Sequence, residues 1–307
     1  MRVCAGTDPP RESAAFVNFL PHEGPQKDTN MATYSLATKY SNKVDEAFQR
    51  AALKGLVTNN DYDFNGVDTV KVYSIPVVEL SDYVRSGANR YGTPDELGNS
   101  TQTMQLRKDR AWTFTIDKLN KNQSQMVMDA GKAVARQLAL KVIPEVDTYV
   151  FREIAKAAPT GHTDATTVTK ANAYAAFLKA QEALGDANVP DEGRVALVSY
   201  NYAGLLKQDV AFMRDCDTAQ NMQIKGLLGM VDGCKIIRVP ASRLPAGCNF
   251  ILTHPIACVA PTVLSEYKIH TDAPGISGWL CEGRISYDAF VLNNKKDAIF
   301  YNGTAIS

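Results

Sequence analysis

A helical pattern running from about Gln123 to about Ala158 constrains this chain more than any other feature. Val127, Ala130, Val134, Leu138, Ile143, Val146, Val150 and Ile154 recur near the 3.6-residue period, with one slip of phase before Ile143. At 1.5 Å per residue, about 36 residues make a rod about 54 Å long, whereas the mean globular helix has about 11–12 residues. Pro144 removes one backbone donor and is expected to kink the rod; Pro159 and Gly161 end it. A rod of this length, following a long two-stranded excursion, frames a building block better than it frames a pocket.

The excursion lies upstream. Val67 to Leu80 alternates in the manner of a strand, with Pro76 restricting it to an edge or a bulge. Ser86 to Ser100 is rich in turn residues, and Thr101 to Asp117 returns as a strand that includes "DRAWTFTID". Ten strand residues extend about 33 Å, so the pair is expected as a long hairpin with a polar tip. A short helix from about Lys43 to Lys54 is capped by Asn42 and stopped by Gly55.

Downstream, Ala173, Phe177, Ala180 and Leu184 share one face of a second helix that stops at Gly185. Arg194 to Ser199 reads as a buried strand, and Ser199 can cap the helix "YNYAGLLKQ". Asp232-Gly233 is a two-residue hairpin turn. Strands are expected around Phe250 to Thr253 and Glu266 to His270, followed by a hairpin over Arg284 to Asn302.

These elements, in this order, resemble the major capsid proteins of tailed phages with the Hong Kong 97 phage fold, most of all those from phages and prophages of Gram-positive bacteria. The matching residues are Asp109, Arg110, Phe114, Ile116 and Asp117 in the strand, then Ile143, Pro144, Glu145, Val146, Asp147 and Tyr149 in the helix. The likeness spans roughly Tyr34 to Tyr301. It implies an α+β fold: a flexible extension (1–30), an N-terminal arm (31–66), an extended loop (67–118), a peripheral domain on a long spine helix (119–163 and 246–307) and an axial domain (164–245).

What the resemblance implies for function is a structural subunit and not an enzyme, with no cofactor. Copies would form pentamers and hexamers of an icosahedral shell that encloses double-stranded DNA without sequence-specific binding. A separate scaffolding protein is implied, since only about 40 residues precede the arm helix. A portal and decoration proteins are further partners, and the location is the virion capsid, reached from the host cytoplasm. Candidate subunit contacts are Arg85, Arg90, Asp95 and Glu96 near the loop tip, and Arg107, Lys108, Asp109 and Arg110 at its base.

Bulk properties agree with a shell wall. Lys plus Arg is 33 and Asp plus Glu is 33, so the chain lacks the basic excess that phosphate neutralisation requires of a nucleic-acid reader. No apolar run approaches a membrane span, and the N-terminus lacks the apolar core of a signal peptide. Residues 1–30 are expected to be an extension or the product of a start placed too far upstream, with a cleaved leader as the alternative. The cysteines, Cys4, Cys216, Cys234, Cys248, Cys258 and Cys281, form no Cys-x-x-Cys pair and are expected as free thiols.

Motifs that carry chemistry are sparse. Asp61, Asp63, Asn65 and Gly66 match the start of a calcium loop, but Val72 stands where the bidentate Glu belongs, so turn formation explains them better. His254, Cys258 and Cys248 are spaced for a metal but lack a fourth ligand. No histidine sits in a nucleophile context, and there is no phosphate-cradling glycine motif. Trp112 and Phe114 read as the core side of a strand; a base-stacking platform beside Arg107, Lys108 and Arg110 is the lesser alternative. The family also includes members joined by isopeptide bonds, for which Lys71 or Lys108 with Asn293 or Asn294 are the available residues. Two other readings remain: an encapsulin-like compartment, which shares the fold, and a cytoplasmic enzyme with an unrecognised site.

Overall fold

The computed structural model describes residues 52–62, 64, 69–93, 96–119, 129–209, 212, 229–271 and 273–306. The extension, most of the arm with its helix, the start of the long helix before Asp129 and most of the calcium-like motif lie outside the described residues.

Two sheets share one rod of helix. The larger has six strands in the order β4 (Thr163–Asp164), β13 (Ile299–Gly303), β8 (Cys248–Thr253), β5 (Val195–Ser199), β7 (Cys234–Val239) and β6 (Met230–Val231). The smaller has three antiparallel strands, β10 (Thr262–His270), β11 (Gly278–Tyr287) and β3 (Lys108–Asp117). The rod consists of α1 (Ala130–Gln137), a π-helical turn at Leu138–Val142, and α2 (Ile143–Lys156).

Central strands buried on both faces read as continuous apolar runs, and every residue of β5 is buried. Val195 and Leu197 face α2, whose Val146, Val150, Phe151 and Ile154 fill the same cluster. Ala196 and Val198 point the other way, onto α3 (Ala173–Asp186) and α4 (Tyr200–Gln208). There Phe177, Leu184, Tyr202 and Leu206 close over Phe250 and Phe300. The Ser199 hydroxyl accepts from Tyr202 N at 3.2 Å and starts α4 as a cap. Asp232 and Gly233 take positive φ of 47° and 73° and turn β6 into β7.

The phase slip of the apolar stripe is the π turn. Ile143 N donates to Leu138 O, one residue further back than an α-helix allows, just before Pro144, which has no N–H. One extra residue turns the stripe by about 100°. Val134 and Leu138 therefore pack with Ile116, Phe114 and Cys281 of the small sheet, while Val146 and Val150 pack on the large one. Trp112 and Phe114 stack at 5.5 Å on this core side. Gly283 makes room for Trp112, because a Cβ there would sit 2.4 Å from its ring.

Two expected hairpins are corrected. The ladder of the extended loop joins β1 (Thr69–Ser74) to β2 (Ser100–Gln105) over only six pairs. It stops at Ser74, two residues before the donorless Pro76, and the chain bends out of it at Leu106–Arg107 so that β3 pairs with β11 instead. The stretch Arg284 to Asn302 is no hairpin: β11 lies in the small sheet, β12 (Phe290–Val291) pairs with β9 (Cys258–Val259), and β13 pairs with β8 and β4. Alternation reports which face is buried and is silent about which strand lies alongside. The large sheet also runs across position 245, since β8 and β13 hydrogen-bond in the same sheet as β5 and β7.

Candidate subunit-interface site

Arg110, Glu145 and Tyr149, among the residues that carry the sequence likeness, lie where the loop, the rod and the small sheet join. Glu145, on the first turn of α2, accepts from Arg110 Nε at 2.7 Å and from Tyr287 Oη at 3.3 Å. Burial, followed by the Glu145 charge, pushes the Tyr287 phenol up to about 12. One strand over, Arg284 donates from Nε to Asp109 Oδ1 at 3.0 Å, and that guanidinium holds the Asp109 carboxyl below its ordinary range.

Asp147 is fully buried and serves the other side of α2. It accepts from Arg243 at 2.8 Å and from the backbone N–H groups of Leu53 and Lys54 at 3.1 Å each. It thus ties Leu53 and Lys54 to the rod. Desolvation lowers the Lys54 ammonium, and the Asp147 charge opposes that shift.

Asp288 is the third anchor, also fully buried. It accepts from Tyr149 Oη at 2.7 Å, Arg107 N at 2.8 Å, Arg107 Nε at 3.2 Å and Ala289 N at 2.8 Å. Arg107 is the residue at which the chain leaves the loop ladder, so this carboxylate fixes the loop base against the rod. Burial and the Asp288 hydrogen bond raise the Tyr149 phenol well above its usual value. Glu153 adds a second ion pair to Arg107 at 3.4 Å, and Lys108 Nζ lies 5.1 Å from the Tyr149 ring centre. Phe64, Met104 and Leu292 form a small apolar plug under the ladder. Gln102 completes the mooring, donating to Val291 O at 2.8 Å and accepting from Asn293 N at 2.9 Å.

The eight candidate contact residues therefore divide. Arg107, Lys108, Asp109 and Arg110 have partners within their own chain. Arg85, Arg90 and Glu96 are exposed on the outer loop, where Arg90 Nε donates to Gly87 O at 3.2 Å; Asp95 lies outside the described residues. The loop also displays an apolar stretch that the charged candidates overlooked. Every residue from Ile75 to Val84 is exposed, with Val77 at 94% and Leu80 at 100%. The strand-like alternation of that stretch was legible, but nothing in it marks which side chains find no cover.

The chemical alternatives find little support in the geometry. His254 Nδ1 accepts from Ile256 N at 3.1 Å, leaving Nε2 to donate to Glu192 O at 2.9 Å, so both ring nitrogens serve backbone. Cys248 and Cys258 are buried, and burial pushes both thiols up to about 12. Among the described residues no cluster of His, Cys, Asp or Glu could hold a metal ion, and no helix is long and apolar enough to cross a membrane. Asn294 Nδ2 donates to Ser74 Oγ, and Lys71 lies opposite Thr103 in the loop ladder.

No protein-family model and no curated protein sequence matches the chain. Solved structures do. One from Mycobacterium phage Che8 superposes with a TM-score of 0.70 at 17% identity, covering 94% of this chain and 98% of that one. The capsid structure of cyanophage P-SCSP1u gives 0.65 at 14% identity over 88% and 93% of the two chains. The acid-stable capsid structure of Helicobacter pylori bacteriophage KHP30 gives 0.65 at 12% identity over 87% and 95%. The chain has a phage capsid fold, mixed in helix and sheet and matched almost end to end.

Proposed function

We propose that this chain is the major capsid protein of a phage or prophage, a structural subunit that performs no chemistry. Copies assemble into pentamers and hexamers, which close into an icosahedral shell around double-stranded DNA. The observation that carries the reading is the near-complete coverage of phage capsid chains in both directions. The exposed loop adds a physical reason: a six-pair ladder continuing into uncovered apolar chain cannot bury itself and needs a neighbour. The division into arm, extended loop, peripheral domain and axial domain, and the origin in a Gram-positive host, rest on the motif likeness.

In this reading the wall confines DNA without gripping it, in keeping with a net charge of zero. A separate scaffolding protein directs closure, a portal occupies one vertex and decoration proteins bind outside. Electron microscopy of the purified protein, alone and with its scaffold, tests the proposal. Closed shells or capsomers are expected. A compact monomer that never assembles under any scaffold or salt condition would overturn it. The genes beside this one separate a virus shell from an encapsulin-like compartment: portal, terminase and scaffold on one side, a cargo enzyme on the other.

A further inference from the structure

The solvent side of the rod carries a row of cations. Lys132, Arg136, Lys141, Arg152 and Lys156 follow one another at steps of four, five, eleven and four residues. Steps of four and eleven displace a side chain by about 40° and about 20° around an α-helix, whereas a step of five displaces it by about 140°. The step of five spans the π turn at Leu138–Val142, whose extra residue takes back about 100°. The turn that splits the apolar stripe between two sheets thus keeps the cationic row in line. From Lys132 to Lys156 the row is about 36 Å long.

Arg136 is half-buried and the other four are exposed. Among the described residues, neither an ion pair nor a side-chain hydrogen bond engages Lys132, Lys141 or Lys156. The acids beside the row are already engaged, Glu145 by Arg110 and Glu153 by Arg107, while Asp147 is fully buried. A chain with equal numbers of acids and bases therefore displays a local basic stripe. The same stripe is poor in anchors for a protein partner: among the described residues, none of the exposed large hydrophobic side chains belongs to the rod. A protein partner is held by large side chains buried at the centre of the contact, whereas a phosphate backbone asks for spaced charge.

We infer that this row is a phosphate-contact site for double-stranded DNA that takes any sequence. The inference rests on the shell reading and assigns, within it, the part of the wall that meets the enclosed DNA. A duplex carries one negative charge per about 1.7 Å of its length, so about 20 phosphates lie along the row. Lysine suits such a contact, since an ammonium on a flexible stem follows a backbone whose register varies. Three unpaired lysines displace few counterions, so one copy binds weakly, and a wall of many copies confines the duplex without fixing it in place.

Binding of the purified full-length protein to two short duplexes of unrelated sequence, followed by fluorescence anisotropy over a range of salt, tests this. Wild type is expected to bind both alike, with log K falling linearly against log salt. Lys132→Gln, Lys141→Gln and Lys156→Gln should each make that slope shallower by about 0.9, and together by about 2.7. Lys132→Arg, Lys141→Arg and Lys156→Arg together should keep the wild-type slope. Lys170→Gln with Lys235→Gln, exposed positions outside the rod, should leave it unchanged. No binding by wild type, or an unchanged slope in the single and triple glutamine variants, overturns the site. Displacement of the duplex by polyglutamate more readily than by an equal charge of competitor duplex also overturns it, and gives the row to an acidic polypeptide. Closed shells in micrographs beside a failed binding test leave the shell reading standing. Lysine-dependent binding by a protein that never forms shells removes the shell reading and keeps the phosphate site.

Discussion

Asp147 and Asp288 show what single residues do here: each is a buried carboxylate that joins segments far apart in sequence. Asp147→Ala removes the carboxylate that Arg243, itself only 7% exposed, contacts at 2.8 Å, and takes the same acceptor from the backbone N–H groups of Leu53 and Lys54. We expect a loss of about 3–5 kcal/mol, seen as a lower denaturant midpoint with an unchanged slope. Arg110→Ala breaks an ion pair of similar length that is 60% and 46% exposed, and should cost no more than about 1 kcal/mol. Asp164 provides a pH handle. The Thr166 hydroxyl and then Lys179 lower its carboxyl from 3.8 to about 2. A carboxyl depressed on folding stabilises the native state above its unfolded value and loses that effect as pH falls through its folded value. Its contribution is therefore present above about pH 4 and lost toward pH 2. Asp164→Asn should be less stable than wild type at pH 6, with the gap closing below pH 3; an unchanging gap would show that the charge is not what matters.

Among the elements, the divided rod matters most. A continuous α-helix has one apolar stripe, whereas this one must serve two sheets that face it differently. The π turn supplies the rotation, and Pro144 occupies a place where its missing donor costs little. Val134 is 8% exposed, on the half that covers the small sheet. Val134→Asp buries an unpaired charge there and should cost more than about 4 kcal/mol, enough to abolish soluble folded protein. Soluble, assembling variant at wild-type yield would mean that α1 does not need this packing.

For the whole molecule, the division of labour is spatial. The large sheet and its helices form a closed core, while the loop from Ile75 to Val84 stays exposed. Replacing Ser86 to Ser100 with a short Asn-Gly turn should leave circular dichroism and thermal unfolding of the subunit nearly native. Sedimentation should then show capsomers or monomers where wild type gives shells. Shells of unchanged yield and heat resistance would make the outer loop an ornament.

Local chemistry was readable from the residues alone: the burial of β5, the face of α3, the Ser199 cap, the Asp232-Gly233 turn and the slip near Ile143. Each depends on neighbours within a few positions, where periodicity and capping act. Partner choice was not readable. The strand "DRAWTFTID" announces a half-buried face, but only the packed chain makes β11 its neighbour and bends the loop ladder away at Arg107. The partners that the four charged residues at the loop base find within the chain, Asp288, Tyr149, Arg284 and Glu145, were not readable either. The uncovered stretch from Ile75 to Val84 was equally hidden, because exposure depends on what the remainder of the chain fails to reach. Sequence determines which face of an element is apolar; tertiary structure decides what meets it, since that follows from contacts between residues 35 to 181 positions apart.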